Sequence, residues 1–190
     1  MDVPSARPGG PGALDRLGLR LVPAHEVDAA ALHAFEVANR AFFARWIPDR
    51  GEAYYTPAAV AESLVRMAGW WAEGTDRMHV VLDPAGGVAG RANLVEVDSG
   101  RASLGYRVAE AVAGAGVATA AVTDLLAAAP RWGITRVEAV TSHANVASAK
   151  VLERCGFTLV GTRHAALRVH GVAMDAHDWR VELTPSGQRA

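Results

Sequence analysis

The chain has 190 residues, 51% of them hydrophobic, with 19 Lys and Arg against 20 Asp and Glu and a formal net charge of −1. That length suits a single domain able to bury a substantial core, and the charge balance argues against a broad nucleic-acid surface. Cys155 is the only cysteine, which excludes an intrachain disulfide.

Residues 1–14, rich in Pro and Gly, hold no apolar signal core and read as a disordered lead-in. One domain over 15–184 follows, then a short tail at 185–190. The longest apolar stretch, near 108–130, contains Glu110 and Asp124 and is broken by glycines. No membrane span is expected, and a cytoplasmic protein fits. Strand-like LGLRLV at 17–22 leads to helices at about 26–45 and 57–73. In the second helix Thr56 reads as the N-cap, Pro57 as the first helical residue and Gly74 as the stop. Near its end, Trp70 and Trp71 serve core packing, the wall of an acceptor pocket or a homodimer contact. Phe42, Phe43, Trp46, Tyr54 and Tyr55 raise the same choice. A meander follows at 77–83, 88–97 and 102–108, with PAGG and DSGR turns between alternating β-branched residues. Within it Glu96 alternates with Val95 and Val97, on the opposite face from them. It is either a general base or a solvated strand carboxylate.

At 104–119 the sequence LGYRVAEAVAGAGVAT carries an apolar strand through a loop with Gly114 and Gly116 into a helix over about 119–129. The first amides of a helix lack internal partners and point along its positive dipole end. Glycines let a phosphate approach them, so the loop is a site for a phosphorylated ligand or a plain tight turn. Val117, Ala118 and Thr119 after the second glycine fit neither a nucleotide P-loop nor a dinucleotide turn. A strand at 132–141 is followed by HANVASAKVLERCGF at 143–157. Here Asn145 is the expected N-cap and Gly156 the stop, with Asn145 and Ser148 on one helix face. A final pair of strands completes an α+β order. His164, His170 and His177 stand six and seven apart without a metal-binding spacing, so no metal is expected. Cys155 reads as a buried, inert thiol.

Together LGYRV, GAGVAT, WGITRVEAVT, NVAS and VLERCGF, with a fainter match in FFARWIPDRGEAYYTPAAV at 42–60, resemble the GNAT acyltransferase superfamily. The chain is most similar to its Rim-type branch of ribosomal-protein N-terminal acetyltransferases. The resemblance runs from about 17 to 183 and is carried by motif order and spacing. It implies a central mixed, mostly antiparallel sheet with helices on both faces. Strands at 101–108 and 136–142 would splay to form the cofactor cleft. It also implies acetyl-CoA as co-substrate and an amine acceptor. By resemblance, the backbone of Tyr106, Arg107 and Val108 pairs with the pantetheine arm. Amides of Ala113, Gly114, Ala115, Gly116, Val117, Ala118 and Thr119 hold the pyrophosphate. Asn145 bonds the pantetheine amide, and Ser148 protonates the leaving thiolate. The tyrosine acid of other branches is Leu152 here. Asp175 matches an Asp often seen in the branch, with a structural hydrogen-bonding role.

Two features depart from the branch. Its loop usually carries Gln or Arg, then Arg or Lys, where this chain has Ala111 and Ala115, with Lys150 and Arg154 the nearest replacements in sequence. The Glu common before LGY is Ser103, which leaves Glu96 as the first candidate for the base. The expectation is an N-acetyltransferase working by direct transfer to a protein N-terminal α-amine or a small-molecule amine. The alternative is a non-catalytic acyl-CoA sensor or assembly subunit.

Overall fold

A computed structural model describes residues 12–184; the expected tail at 185–190 and most of the expected lead-in lie outside the described residues. Leu14 already belongs to the domain. It is 1% exposed, and the Asp124 carboxylate accepts hydrogen bonds from the amides of Ala13 and Leu14 at 2.7 and 2.9 Å.

Seven strands form one sheet: β1 (Arg20–Pro23), β2 (Arg77–Leu82), β3 (Val88–Asp98), β4 (Arg101–Val108), β5 (Arg136–Ser142), β6 (Thr158–Val169) and β7 (Val172–Glu182). Their order is β1-β2-β3-β4-β5-β7-β6, and every neighbouring pair is antiparallel except β4 with β5. The α-helices are α1 (Ala29–Ala38), α2 (Arg40–Ala44), α3 (Pro57–Glu73), α4 (Val117–Ala128) and α5 (Val146–Arg154). The expected α+β architecture with a mixed, mostly antiparallel sheet is the one observed.

Strand alternation divides the apolar residues between two cores. Ala92, Leu94, Ala102 and Leu104 face α4 and pack with Val122, Leu125, Ile134, Val137, Leu152 and Trp179. Val80 and Leu82 face the other way, against Leu32, Phe35, Phe43, Val60, Leu64 and Met67 of α1–α3. Helices therefore cover both faces. The helix at 57–73 follows its expected punctuation: Thr56 Oγ1 accepts from Ala59 N at 3.2 Å, and Gly74 closes the helix at φ 84°.

The expected helix at 26–45 is two helices, because Asn39 interrupts it at φ −105°, ψ 5°. Its side-chain amide donates to Phe35 O, while its Oδ1 accepts from Glu110 N at 2.8 Å, tying the break to the loop after β4. The expected strand at 17–22 starts only at Arg20, since Asp15–Leu17 is a 3-10 turn ended by Gly18 at φ 69°.

Candidate active site

β4 and β5 are paired side by side only over Arg101–Ser103 and Arg136–Glu138. Beyond that point β4 stays with β3 up to the Gly90–Val108 pair, and β5 stays with β7 up to Ser142–Ala176. The edge of β4 from Leu104 to Val108 therefore has no β5 partner. Backbone polar groups along such an edge offer hydrogen bonds to an added strand or an extended ligand. This is the expected splay, with Tyr106, Arg107 and Val108 along one wall.

On the α4 side of the wedge, Tyr106 packs against the core and its hydroxyl meets the first turn of α5. It lies 2.7 Å from Ser148 Oγ and 3.0 Å from the Ser148 carbonyl oxygen. The carbonyl can only accept, so Tyr106 donates to it and Ser148 Oγ donates to the Tyr106 oxygen. Burial pushes the Tyr106 hydroxyl up to about 12, against the opposing pull of the Ser148 bond. The phenol therefore keeps its proton through the neutral range. Asn145 caps α5 as expected, its Oδ1 accepting from Ser148 N at 3.1 Å. The Nδ2 donor is the part of that amide left for a ligand. Leu152, where other branches carry a tyrosine acid, is fully buried.

After β4 the chain makes a 3-10 turn at Glu110–Val112 and enters α4. Ala113 N donates to Glu110 O at 3.1 Å and Ala115 N to Val112 O at 3.2 Å, which removes these two amides from the expected phosphate-binding set. The amides of Gly114 and Gly116 make no backbone hydrogen bond among the described residues. Gly116 O accepts from Ala120 N, the first bond of the helix, so the amides of Val117, Ala118 and Thr119 precede the intrahelical ladder. α4 thus begins two residues earlier than expected. Gly114 and Gly116 have φ 81° and 83°, and a Cβ on either would meet nothing within 4 Å. Five amides at the positive end of a 12-residue helix, with Gly114 and Gly116 exposed, suit a pyrophosphate.

Arg154 lines a shallow depression with Thr123, Leu126, Ala127 and Cys155, along the second half of α4. Arg45 does come to the loop. It follows α2 and places Nη2 3.0 Å from Glu110 Oε1, with both side chains more than half exposed. No local motif marks Arg45; only the packing of α2 brings it there.

On the opposite sheet face lie Ser103, Gly105 and Arg107, alternating with the core residues Ala102, Leu104 and Tyr106. Strict alternation would place Glu96 on the α4 side with Leu94. Instead the β3–β4 register shifts between Val95 and Asp98, and Glu96 takes φ 56°. Asp76 Oδ1 holds the bulge by accepting from Glu96 N at 2.9 Å, and Val97 N donates to Thr75 O at 2.8 Å. The bulge brings Glu96 Oε2 within 2.9 Å of Ser103 Oγ, which donates to it. Glu96 and Ser103 are therefore joined, through a backbone kink that strand periodicity does not anticipate.

Other expected residues have structural roles. Asp175 accepts from Ala165 N at 2.9 Å and pairs with His164 at 3.1 Å, and these bonds hold its carboxyl below the usual range. Burial pushes the half-buried Cys155 thiol up. Trp70 packs on the α3-side core, whereas Trp71 meets His25, His79 and Trp132 edge-on or tilted at 5.2–5.8 Å. Among the described residues no His, Cys, Asp and Glu cluster could hold a metal ion.

The fold has counterparts among solved structures. The ribosomal-protein-S5-alanine acetyltransferase from Vibrio fischeri superposes with a TM-score of 0.80 at 21% identity, covering 90% of this chain and 94% of that one. Mycobacterium smegmatis RimJ, in complex with CoA-disulfide, gives 0.76 at 25% identity over 90% and 83%. The spermidine N-acetyltransferase from Vibrio cholerae, in complex with CoA and spermine, gives 0.74 at 17% identity over 89% and 98%. No curated protein sequence matches the chain. Residues 16–158 match the acetyltransferase (GNAT) domain, and by that match the chain belongs to the GNAT acetyltransferase family.

Proposed function

We propose that this GNAT protein acetylates a primary amine directly, with acetyl-CoA in the β4–β5 wedge and the amine approaching from the opposite sheet face. The observation that carries this reading is the placement of two proton-handling pairs on the two sides of β4. Ser148 and Tyr106 lie on the α4 side, and Glu96 with Ser103 on the other. Acetyl-CoA supplies an acyl group activated as a thioester. The Gly114, Gly116, Val117, Ala118 and Thr119 amides hold its pyrophosphate, and Asn145 Nδ2 with the Tyr106–Val108 edge aligns the pantetheine.

Acyl transfer needs a neutral amine and a proton for the departing sulfur. Glu96 accepts the amine proton, with the Ser103 hydroxyl passing it on. Ser148 would give its hydroxyl proton to the sulfur as the C–S bond breaks and regain one from solvent, with the Tyr106 oxygen, which accepts from Ser148 Oγ at 2.7 Å, holding that hydroxyl in place. An α-amine of pKa about 8 asks little of the base, whereas a lysine-type amine near 10.4 asks far more. The names of the structural neighbours include both protein and polyamine acceptors, which supports an amine acceptor in general.

The test is titration of the protein with acetyl-CoA and CoA, followed by a CoA-release screen over amines. Saturable one-to-one binding and amine-dependent release are expected. Binding without release from any amine would replace the enzyme with an acyl-CoA sensor, and no binding at millimolar ligand would remove the cradle.

A further inference from the structure

Arg91 on β3 and Arg107 on β4 are directly opposite each other across the antiparallel pair, where like charges repel. Both are withdrawn from water, with side chains 3% and 12% exposed. Their shared counter-charge is Glu36 of α1, itself 0% exposed, whose Oε1 lies 2.8 Å from Arg91 Nη1 and 2.5 Å from Arg107 Nη2. Glu36 Oε2 and Arg91 Nε have no hydrogen-bond partner. Two cations on one carboxylate leave one positive charge in excess, in surroundings where an unmatched charge is costly.

Arg107 is the member of the trio that keeps contact with solvent. Its guanidinium lies 4.9 Å from the Phe43 ring centroid, and Glu36 fixes one edge of its fork. Arg107 shares the sheet face of Ser103 and Gly105. Gly105 leaves that face bare, for a Cβ there would meet nothing within 4 Å. Two strand residues span about 7 Å, so an amine above Gly105 could carry an anionic group to Arg107. Arg50, exposed and stacked 4.6 Å from the Tyr54 ring centroid, adds a second cation close enough to help depress the pKa of Arg107. Among the described residues Arg50 forms no ion pair. Guanidinium groups held in this way favour the planar, two-point geometry of a carboxylate.

We infer that the acceptor of the proposed acetyl transfer carries an acidic side chain close to its amine, with that side-chain carboxylate bound by Arg107, Glu36 as its positioning residue and Arg50 as a second cation. The inference rests on the acetyltransferase reading above. An acidic residue beside a peptide N-terminus and a free acidic amino acid both offer this chemistry.

The experiment measures CoA release with peptides that differ only in Asp, Asn or Lys after an N-terminal Ala, and with glutamate against glutamine. A kcat/KM at least tenfold higher for the Asp peptide than for its Asn twin is expected. A glutamate preference without the peptide preference would assign the site to free amino acids. The Asp-to-Asn ratio, or glutamate-to-glutamine ratio, should fall towards one in Arg107→Gln and at least twofold in Arg50→Gln. The exposed Arg50 variant supplies the answer if Arg107→Gln does not fold. Release at equal rates from acidic, neutral and basic acceptors would overturn this inference and leave the enzyme standing, as would ratios untouched by these substitutions. No release from any amine would overturn both.

Discussion

Acidification to pH 4 should cost the fold about 3 kcal/mol through His79 alone. This histidine of β2 is buried, with Trp71 and Trp132 against its ring at 5.2 and 5.5 Å and Nδ1 3.0 Å from Arg77 O. Burial above all, with nearby Arg77 and His25 adding to it, lowers its pKa from 6.5 to about 4. The neutral form is therefore the folded form, with Nδ1–H donating to the Arg77 carbonyl. In the unfolded chain the same side chain gains its proton near pH 6.5, so the unfolded state binds more protons between the two values. The stabilisation is present in full above 6.5 and is lost as pH falls through about 4. A gap of about 2.5 at 1.36 kcal/mol each gives about 3 kcal/mol. Urea unfolding followed by tryptophan fluorescence at pH 7, 6, 5 and 4 measures it. His79→Phe keeps an aromatic ring and removes the titration, so its stability should fall less steeply across that window than the wild type's. Identical pH slopes for the two proteins would refute a neutral, buried His79, whatever the pH-independent cost of losing the Arg77 contact.

Glu36→Gln should destabilise the protein by about 3–5 kcal/mol, because two opposed buried arginines lose their shared carboxylate. Arg107→Gln leaves a matched Glu36–Arg91 pair and should cost far less; chemical denaturation of the two variants gives the comparison. Ser148→Ala should lower kcat about a hundredfold while calorimetry finds acetyl-CoA binding within twofold of wild type, the loss expected for a missing general acid. Glu96→Gln should slow acetylation of an α-amine about tenfold at pH 7 and recover towards pH 9, where an amine of pKa about 8 is already neutral. A pH-independent deficit in that variant would assign Glu96 to binding rather than to proton transfer. Glu96→Gly should lose activity as well, yet melt no lower than wild type, since glycine takes φ 56° without the left-handed penalty.

The sequence reveals most where structure is local. Thr56, Pro57 and Gly74 bound α3, and Asn145 starts α5, because a cap is made by residues within a few positions of the helix end. Gly114 and Gly116 are legible for the same reason. Relations between distant residues are not. Glu96 is recognisable as a carboxylate near the right place, but period-two alternation gives it the wrong face. The bulge that redirects it depends on Asp76, twenty residues earlier. Tyr106 is expected to act through its backbone, and its hydroxyl matters only once α5 brings Ser148 to 2.7 Å. Glu36 sits among apolar residues of a helix, and its partners lie 55 and 71 positions away. The break at Asn39, too, is held from the other side of the domain by Glu110 N.

The two faces of β4 are built on different terms. On the proposed cofactor side the unusual backbone angles fall on Gly114 and Gly116, where they cost little, and the groups on offer are backbone amides, with only alanine side chains at 111, 113 and 115. On the acceptor side a non-glycine residue adopts φ 56° and three buried charges share one bond network with an excess cation. Both features oppose folding, and neither is needed to close the sheet, because Gly90–Val108 and Val95–Ser103 pair in unbroken register between them. Strain and uncompensated charge of this kind persist where the surrounding packing enforces them, and they concentrate where a protein handles its ligand. That asymmetry supports the proposed division of labour, a backbone cradle for the cofactor and acceptor selectivity at Glu96, Ser103, Arg107 and Glu36.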